Sequence, residues 1–298
     1  MMKGLFFWFL STVIMFWNVE NYFDTYDDPL TEDDEFTPAG TYHWNRSLFQ
    51  KKRDGIAKTI IAASDRYGEL PLIVGMAEVE NRYTVRQLTQ HSPLSAYNYN
   101  YVHRNSPDGR GIDVALLYDA DRFHILKVDS LRVKGFRTRD ILYVVGVTRD
   151  KAKDTLHIFV NHWPSKRSGD ESTLRRAKVA RLLDSCADSI LTKNPQARII
   201  AMGDFNDDRA DTTVRALFHK KARNGKGSYK YKGRWETIDH FFVSQKVNRL
   251  SRMYVFDAPF LLEEDKTYLG KKPYRTFVGP KHNGGLSDHL PIILQFVK

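Results

Sequence analysis

Carboxylates, amides and imidazoles recur directly beyond apolar runs of this chain. Asn18 and Glu20 follow Val13–Trp17, Glu78 and Glu80 follow Leu72–Met76, Asn161 and His162 follow Ile158–Val160, and Asp204 and Asn206 follow Ile199–Gly203. Asp239 and His240 sit within Trp235–Val243, and Ser287-Asp288-His289 immediately precedes Leu290–Val297. Carboxylates combined with imidazoles, in a chain without clustered thiols, favour a hard cation such as Mg²⁺ or Mn²⁺, and such ions typically serve phosphate chemistry. Hydrolysis of a phosphodiester needs an activated water, stabilised charge on the phosphoryl oxygens and help for the leaving oxygen. A metal, a histidine and amide donors supply these. Taken singly the motifs are weak: Gly203-Asp-Phe-Asn206 can be a turn, Ser-Asp-His can cap a strand, and a lone strand-end histidine is more often structural. Glu80 and His240 read as structural or solvated.

The elements that must position these residues alternate short β-branched or aromatic runs with amphipathic stretches, the pattern of a mixed α/β protein. Strands are expected at 12–18, 71–77, 97–103, 112–118, 123–128, 141–148, 155–161, 198–203, 236–243, 251–256 and 290–297. Helices are expected at 47–64, with Ile56, Ile60 and Ala63 on one side, at 82–90, and at 171–193, where Val179, Leu183, Cys186 and Ile190 recur at helical spacing before Asn194-Pro195. Successive strands with no room for a helix between them exclude a purely parallel sheet. So many strands point to two sheets packed face to face and covered by helices. No repeat or Pro/Ser-rich linker divides the chain, so residues 12–298 read as one domain.

Composition narrows the partners. Over 298 residues, 46 Lys+Arg oppose 36 Asp+Glu for a net charge of +10, and 42% of residues are hydrophobic, enough for a sizeable core. A lone Cys186 excludes an internal disulfide and thiol-held zinc. No apolar run is long enough for a multi-span membrane protein. Residues 1–40 hold Lys3 against eight acids, a balance of −7, which leaves 45 cations and 28 acids, +17, on the remainder. The stretch Asp24–Glu35 reads as a solvated loop rather than a calcium loop, lacking the glycine turn and closing glutamate of an EF-hand. Lys3 followed by Leu5–Leu10 resembles the start of a secretory signal within residues 1–11, although no small-x-small cleavage site follows. The reading favours an exported protein over a cytoplasmic one, the alternative being an apolar leader to the first strand.

In order, Trp17-Asn18-Val19-Glu20-Asn21, Glu78 within Gly75–Asn81, Asn161-His162-Trp-Pro-Ser165, Gly203–Asn206, Ile238-Asp239 and Ser287-Asp288-His289 resemble the endonuclease/exonuclease/phosphatase superfamily. The resemblance spans residues 12–297. Phe16–Asp28, Arg104–Tyr118 and Phe159–Arg167 look most like a bacterial branch of it. It implies a four-layer α/β sandwich of the deoxyribonuclease I type.

The resemblance also implies roles. Glu78 matches the carboxylate that binds the divalent metal, Asn18 the amide beside it, Glu20 an acid of its outer surroundings and Asp288 a further acid close to it. Asp204 and Asn206 match the pair that positions the attacking water and contacts the phosphate, with Asp204 a candidate base. His289 matches the imidazole on the scissile phosphate and Asp239 the carboxylate that orients it. His162 matches a second histidine of the deoxyribonuclease I and sphingomyelinase branches; abasic-site endonucleases carry tyrosine near there, so the chain departs from them. Asn161, Arg110, Lys230 and Lys232 are expected to contact substrate. Arg110 could clamp phosphate or brace a loop, and Asp113 could orient His162 or pair with Arg110.

Between His219 and Trp235, seven lysines and arginines are interleaved with Tyr229, Tyr231 and glycines and carry no acid. Such a segment can follow a phosphate backbone and stack on bases, or can be a solvated hairpin. The expected activity is metal-dependent phosphodiester hydrolysis on nucleic acid, acting as a monomer without an obligate protein partner. The alternative is a phosphodiesterase or phosphatase for phospholipid or inositol phosphate head groups, and a non-catalytic binder fits less well because every matched position holds the expected residue type.

Overall fold

The computed structural model describes residues 12–166, 169–208, 219–220, 223–224 and 227–296. The leader expected at 1–11 and Lys226 of the basic segment lie outside these residues. The elements run β1 (Val13–Tyr22), α1 (Arg46–Tyr67), β2 (Ile73–Val79), α2 (Arg82–Gln90), β3 (Tyr99–His103), β4 (Asp113–Asp119), β5 (Phe123–Leu131), β6 (Ile141–Thr148), β7 (Thr155–His162), α3 (Gly169–Lys193) and β8 (Arg198–Asp204). Short strands β9 (His219–Lys220), β10 (Arg223–Asn224), β11 (Tyr229–Tyr231) and β12 (Arg234–Glu236) lead to β13 (Asp239–Val243), α4 (Gln245–Leu250) and β14 (Ser251–Val255). Two small hairpins, β15 (Leu262–Glu264) with β16 (Lys271–Pro273) and β17 (Phe277–Val278) with β18 (Lys281–His282), precede β19 (Ile292–Phe296).

The strands form two mixed sheets, ordered β10-β14-β19-β1-β2-β4-β3 and β5-β6-β7-β8-β13-β9. Strands β1 and β2 pair in parallel, as do β7 and β8, while β1 with β19 and β8 with β13 are antiparallel. Ile56, Ile60 and Ala63 of α1 join the apolar core shared by the sheets, whereas Val179, Leu183 and Ala187 of α3 pack on Phe159 and Ile199 of the second sheet. The result is a four-layer sandwich: helices, sheet, sheet, helix. The sheets approach so closely at Gly75 that a Cβ there would lie 2.8 Å from Met202 Cε across the interface. Strand β1 is central and buried on both faces from Val13 to Glu20, which explains its continuous apolar run in place of alternation.

Two bulges shape the strand ends. In β1 the register passes from Asn18 opposite Ala77 directly to Tyr22 opposite Val79, and β2 skips Glu78 against β4 in the same way. Glu20, Asn21 and Glu78 accordingly adopt positive φ of 49°, 53° and 61°. Bulges re-aim side chains, and left-handed non-glycine residues cost roughly 1–3 kcal/mol each and concentrate where function demands them. The expected strand at 12–18 therefore runs four residues further, to Tyr22, and carries its polar residues within itself. The expected strand at 236–243 breaks at Thr237-Ile238, so that Asp239 opens β13 directly opposite Asp204.

Candidate active site

Sheet register assembles half the site. Asp204 is paired with His162 on one side and Asp239 on the other, so these side chains form one cross-strand row on one face of the second sheet. From the first sheet, Asn18 and Glu78 project at the bulges. The two sets meet: Asn18 Nδ2 donates to Glu78 Oε1 at 3.3 Å and to Asp204 Oδ2 at 3.0 Å, and His162 Nε2 lies 3.9 and 3.8 Å from the same carboxylate oxygens. The backbone N–H of Asn21 donates to Glu78 Oε2 at 2.9 Å.

His289 completes the cluster from the segment before β19. Its Nδ1 bonds Asp239 Oδ2 at 2.8 Å, while Nε2 stands 3.9 Å from Asp204 Oδ2 and 3.8 Å from Asp288 Oδ1. Ser228 Oγ also donates to Asp239, Trp17 Nε1 donates to the His289 carbonyl at 2.9 Å, and the Tyr229 ring lies 4.9 Å from the imidazole. Asn206, at φ 48°, hangs its backbone N–H on Asp204 Oδ1 at 2.9 Å and its amide on the Trp163 carbonyl at 3.0 Å. Arg110, exposed at the rim, donates to Asn21 Oδ1 at 2.6 Å.

Electrostatics separate the titratable groups. Burial and then the Arg139, Arg110 and His289 cations push His162 well below the usual imidazole range, which keeps it neutral. Burial also opposes charge on His289, but Asp239, Asp204 and Asp288 outweigh it and hold that imidazole well above its ordinary value. Burial raises Glu78, yet Arg110, His289 and the hydrogen bonds from Asn21 and Asn18 prevail and keep its carboxyl low. Burial with Asp239 pushes Asp204 up to about 7, and burial with Glu20 pushes Asp288 up to about 7. Two imidazoles whose surroundings drive them apart are the raw material of paired acid and base roles.

The donor set fits a divalent, oxygen-ligated cation. Ligand atoms of Asp204, Asp239 and His289 all lie within 4.8 Å of one another, and Glu78 and Asp288 add carboxylates beside them. The crowding that lifts Asp288 is what a bound cation relieves. Because Asp239 is taken up by His289 Nδ1 and Asp204 accepts from Asn18 and Asn206, Glu78 and Asp288 are the groups best placed to hold the ion. Cys186 is half-buried on α3 against the outer core, away from this cluster.

Several sequence expectations need correcting. Asn161 does not face substrate: it is fully buried, donates to the Phe159 and Met202 carbonyls and accepts from Trp163 Nε1. Lys230 is not free for phosphate, because Asp265 at 2.7 Å and the Leu269 carbonyl at 2.9 Å hold its ammonium. Glu20 accepts from Arg275 Nη2 at 3.0 Å and from Thr276 N at 2.7 Å, and the same Arg275 reaches Asp288. Asn18 lies beside Glu78, bridging it to Asp204 through its nitrogen, while its oxygen accepts from Glu20 N at 3.0 Å. Asp113 contacts neither His162 nor Arg110; it accepts from Ser106 and lies 3.5 Å from His103 Nε2. Asp288 stays beside His289 but is shared with Arg275 at 3.2 Å. Lys232 is exposed, its ammonium 5.3 Å from the Tyr231 ring centroid.

Sequence reasoning missed Lys52, Ser228 and Arg275. Lys52 is buried in α1 and donates to the Glu20 carbonyl, to Thr276 Oγ1 at 2.6 Å and to the Leu286 carbonyl at 3.0 Å, tying three site segments together. Its signal was available: a lysine four residues before Ile56, on the apolar stripe of a helix. Ser228 and Arg275 sit in loops where no periodicity marks them.

A sequence model described as the Endonuclease/Exonuclease/phosphatase family matches residues 13–298. Among solved structures, truncated Caenorhabditis elegans TDP2 is 15% identical with TM-score 0.60, over 97% of this chain and 98% of that one. The human Nocturnin catalytic domain with bound sulfate anion is 15% identical with TM-score 0.58, over 96% and 94%. A mannosyl-6-phosphatase from Bacteroides thetaiotaomicron is 16% identical with TM-score 0.56, over 97% and 100%. At these identities the likeness speaks to the fold. No curated protein matches the sequence.

Proposed function

The chain belongs to the Endonuclease/Exonuclease/phosphatase family, whose members are phosphoric ester hydrolases, and from that premise we propose that it hydrolyses phosphodiesters of nucleic acid with the help of Mg²⁺ or Mn²⁺. The observation that carries the reading is the row of Asp204 between His162 and Asp239, closed by His289 bonded to Asp239 and by Glu78 from the facing sheet. Asp204, its carboxyl lifted towards neutrality, accepts the proton of the attacking water. Asp239 accepts from Nδ1–H and favours the imidazolium form of His289, so that Nε2–H is left to donate to the phosphoryl or leaving oxygen and stabilises the charge developing there. Neutral His162 and the Asn206 amide contact the phosphate from the other side, and Arg110 supplies a cation at the rim. Glu78 and Asp288 would hold the divalent ion, which would supply Lewis-acid stabilisation of the phosphoryl charge. The positive charge outside the acidic N-terminal stretch supports a polyanionic substrate.

A second reading has its own observation. Beside Asp288 and Arg275 opens a cavity of about 170 Å³, lined by Tyr229, Lys232, Tyr268 and Lys272. That is about the size of one six-membered ring, which supports hydrolysis of a small sugar or inositol phosphate. The test is incubation of the purified chain with plasmid, abasic duplex, single-stranded nucleic acid, bis(p-nitrophenyl) phosphate, sugar phosphates and sphingomyelin vesicles, each with Mg²⁺, with Mn²⁺ and with EDTA. Metal-dependent cleavage of nucleic acid is expected; turnover of monoesters or lipid alone would replace the first reading with the second.

A further inference from the structure

The segment joining β5 to β6 carries Arg132, Lys134, Arg137 and Arg139 against a single acid, Asp140. Its far end reaches the active site: Arg139, paired with Asp108 at 3.0 Å, donates through Nη2 to the Trp163 carbonyl at 2.9 Å, the same carbonyl that receives the Asn206 amide. Its near end faces α3, where Arg175, Lys178 and Arg181 recur at three-residue steps. The two surfaces touch. Phe136 lies 5.4 Å from the Arg175 guanidinium and 5.8 Å from the Lys178 ammonium, and a Cβ on Gly135 would come within 3.9 Å of Lys178 Nζ.

Between them is a shallow concavity of about 280 Å³, lined by Arg132, Val133, Lys134, Lys178, Arg181 and Leu182, with no acid among them. Arg132 is neutralised by Asp140 at 3.1 Å, but among the described residues no carboxylate lies within ion-pair distance of exposed Lys134, Lys178 or Arg181. Like charges gathered without counter-charges repel one another, and a polyanion removes that cost while releasing its own counterions. Arg175 is paired with Glu171, so the helix offers Lys178 and Arg181, about 4.5 Å apart along the axis and close to the axial step between neighbouring phosphates of one strand of a duplex.

We propose that this face of α3 and the 131–140 segment is a nucleic-acid backbone track that leads a strand into the active site. The inference deepens the nuclease reading and rests on it. A backbone is favoured over an anionic membrane because the cations line a concavity rather than a flat face, and over an acidic protein because the apolar floor is only Val133 and Leu182. None of the three free cations belongs to the catalytic cluster, so the surface can be altered without touching the chemistry.

The experiment compares wild type, the triple variant Lys134→Gln/Lys178→Gln/Arg181→Gln, and the charge-keeping variant Lys134→Arg/Lys178→Arg/Arg181→Lys. Binding of labelled duplex and single-stranded DNA is followed by fluorescence anisotropy across a KCl series, beside hydrolysis of bis(p-nitrophenyl) phosphate. The Gln variant should lose roughly one unit of salt slope for each phosphate contact removed, about three in all, with its small-diester rate unchanged; the charge-keeping variant should retain the wild-type slope. An unchanged slope in the Gln variant overturns the track, as does wild type that turns over the small diester yet binds neither DNA form at low salt. Cosedimentation with phosphatidylserine vesicles that the Gln substitutions abolish, with DNA binding intact, would assign the face to a membrane instead. DNA binding lost in the Gln variant alone, from a chain inert on every ester, would keep the track and remove the hydrolase reading.

Discussion

At the scale of single residues, His289 and Asp239 act as one unit. The 2.8 Å bond between them fixes which imidazole nitrogen faces Asp204. His289→Ala should lower turnover by roughly 10²-fold or more, the scale of a positioned acid or base. Asp239→Asn should be damaging as well, because an amide no longer stabilises the protonated imidazole; initial rates at saturating metal, with circular dichroism as the folding control, measure both. Glu80 presents a different case. Burial, with Asp24 beside it, pushes its carboxyl up to about 8 from an ordinary value of 4.5. Between those two pH values the folded state holds a proton that the unfolded state has released, so stability falls as pH rises through the window. Glu80→Gln should therefore unfold later in urea than wild type at pH 8.5, by roughly 1–3 kcal/mol, and show no such advantage at pH 4. An equal effect at both pH values would place the wild-type carboxyl in its normal range.

At the scale of elements, the site depends on strand ends being held at bulges and on loops being tied back to them. Lys52 performs the second task from inside α1, its ammonium donating to the Glu20 carbonyl, Thr276 Oγ1 and the Leu286 carbonyl. Lys52→Met keeps the stem and removes the donors, leaving buried acceptors without partners. It should cost roughly 2–4 kcal/mol in denaturant unfolding and loosen the segment carrying Asp288 and His289. A stability loss under 0.5 kcal/mol, within the ordinary range for surface substitutions, would show that the three segments hold themselves. Elements of this kind were legible unevenly in the sequence. Core strands such as β6 and β8, and helices α1 to α3, announce themselves through apolar periodicity, and the polar residues at their ends stand out by contrast. The bulges at Val19–Asn21 and Glu78 do not, since a one-residue change of register leaves no compositional mark. The same holds for the hairpins β11–β12 and β15–β16, too short and polar for a period to emerge. Lys230 looked like a phosphate contact because its partner Asp265 is distant in sequence, and Asn161 because a strand end does not reveal which face an amide takes.

At the scale of the whole molecule, charge is divided. Acids concentrate near the N-terminus and in the site, and the rest of the chain is strongly basic. Such a field draws in a polyanion over distances comparable to the Debye length, about 10 Å at 0.1 M salt. Cleavage of a long nucleic acid should therefore slow steeply between 50 and 200 mM KCl, while hydrolysis of bis(p-nitrophenyl) phosphate, which meets only the site, stays nearly constant. Parallel salt dependence for the two substrates would mean that the basic surface plays no part in substrate capture.

The central claim is that a divalent ion held through Glu78 serves phosphoester hydrolysis among Asp204, His289 and His162. The most direct measurement is the Mg²⁺-dependent initial rate of phosphodiester hydrolysis by Glu78→Gln beside wild type, with and without EDTA, both folded by circular dichroism. The substitution keeps the size of the side chain and removes its charge. The account predicts a wild-type rate abolished by EDTA and restored by Mg²⁺, and a variant that needs far more Mg²⁺ and turns over at least roughly tenfold more slowly. A wild-type rate untouched by EDTA, or full activity of Glu78→Gln at the same Mg²⁺ concentration, would contradict it.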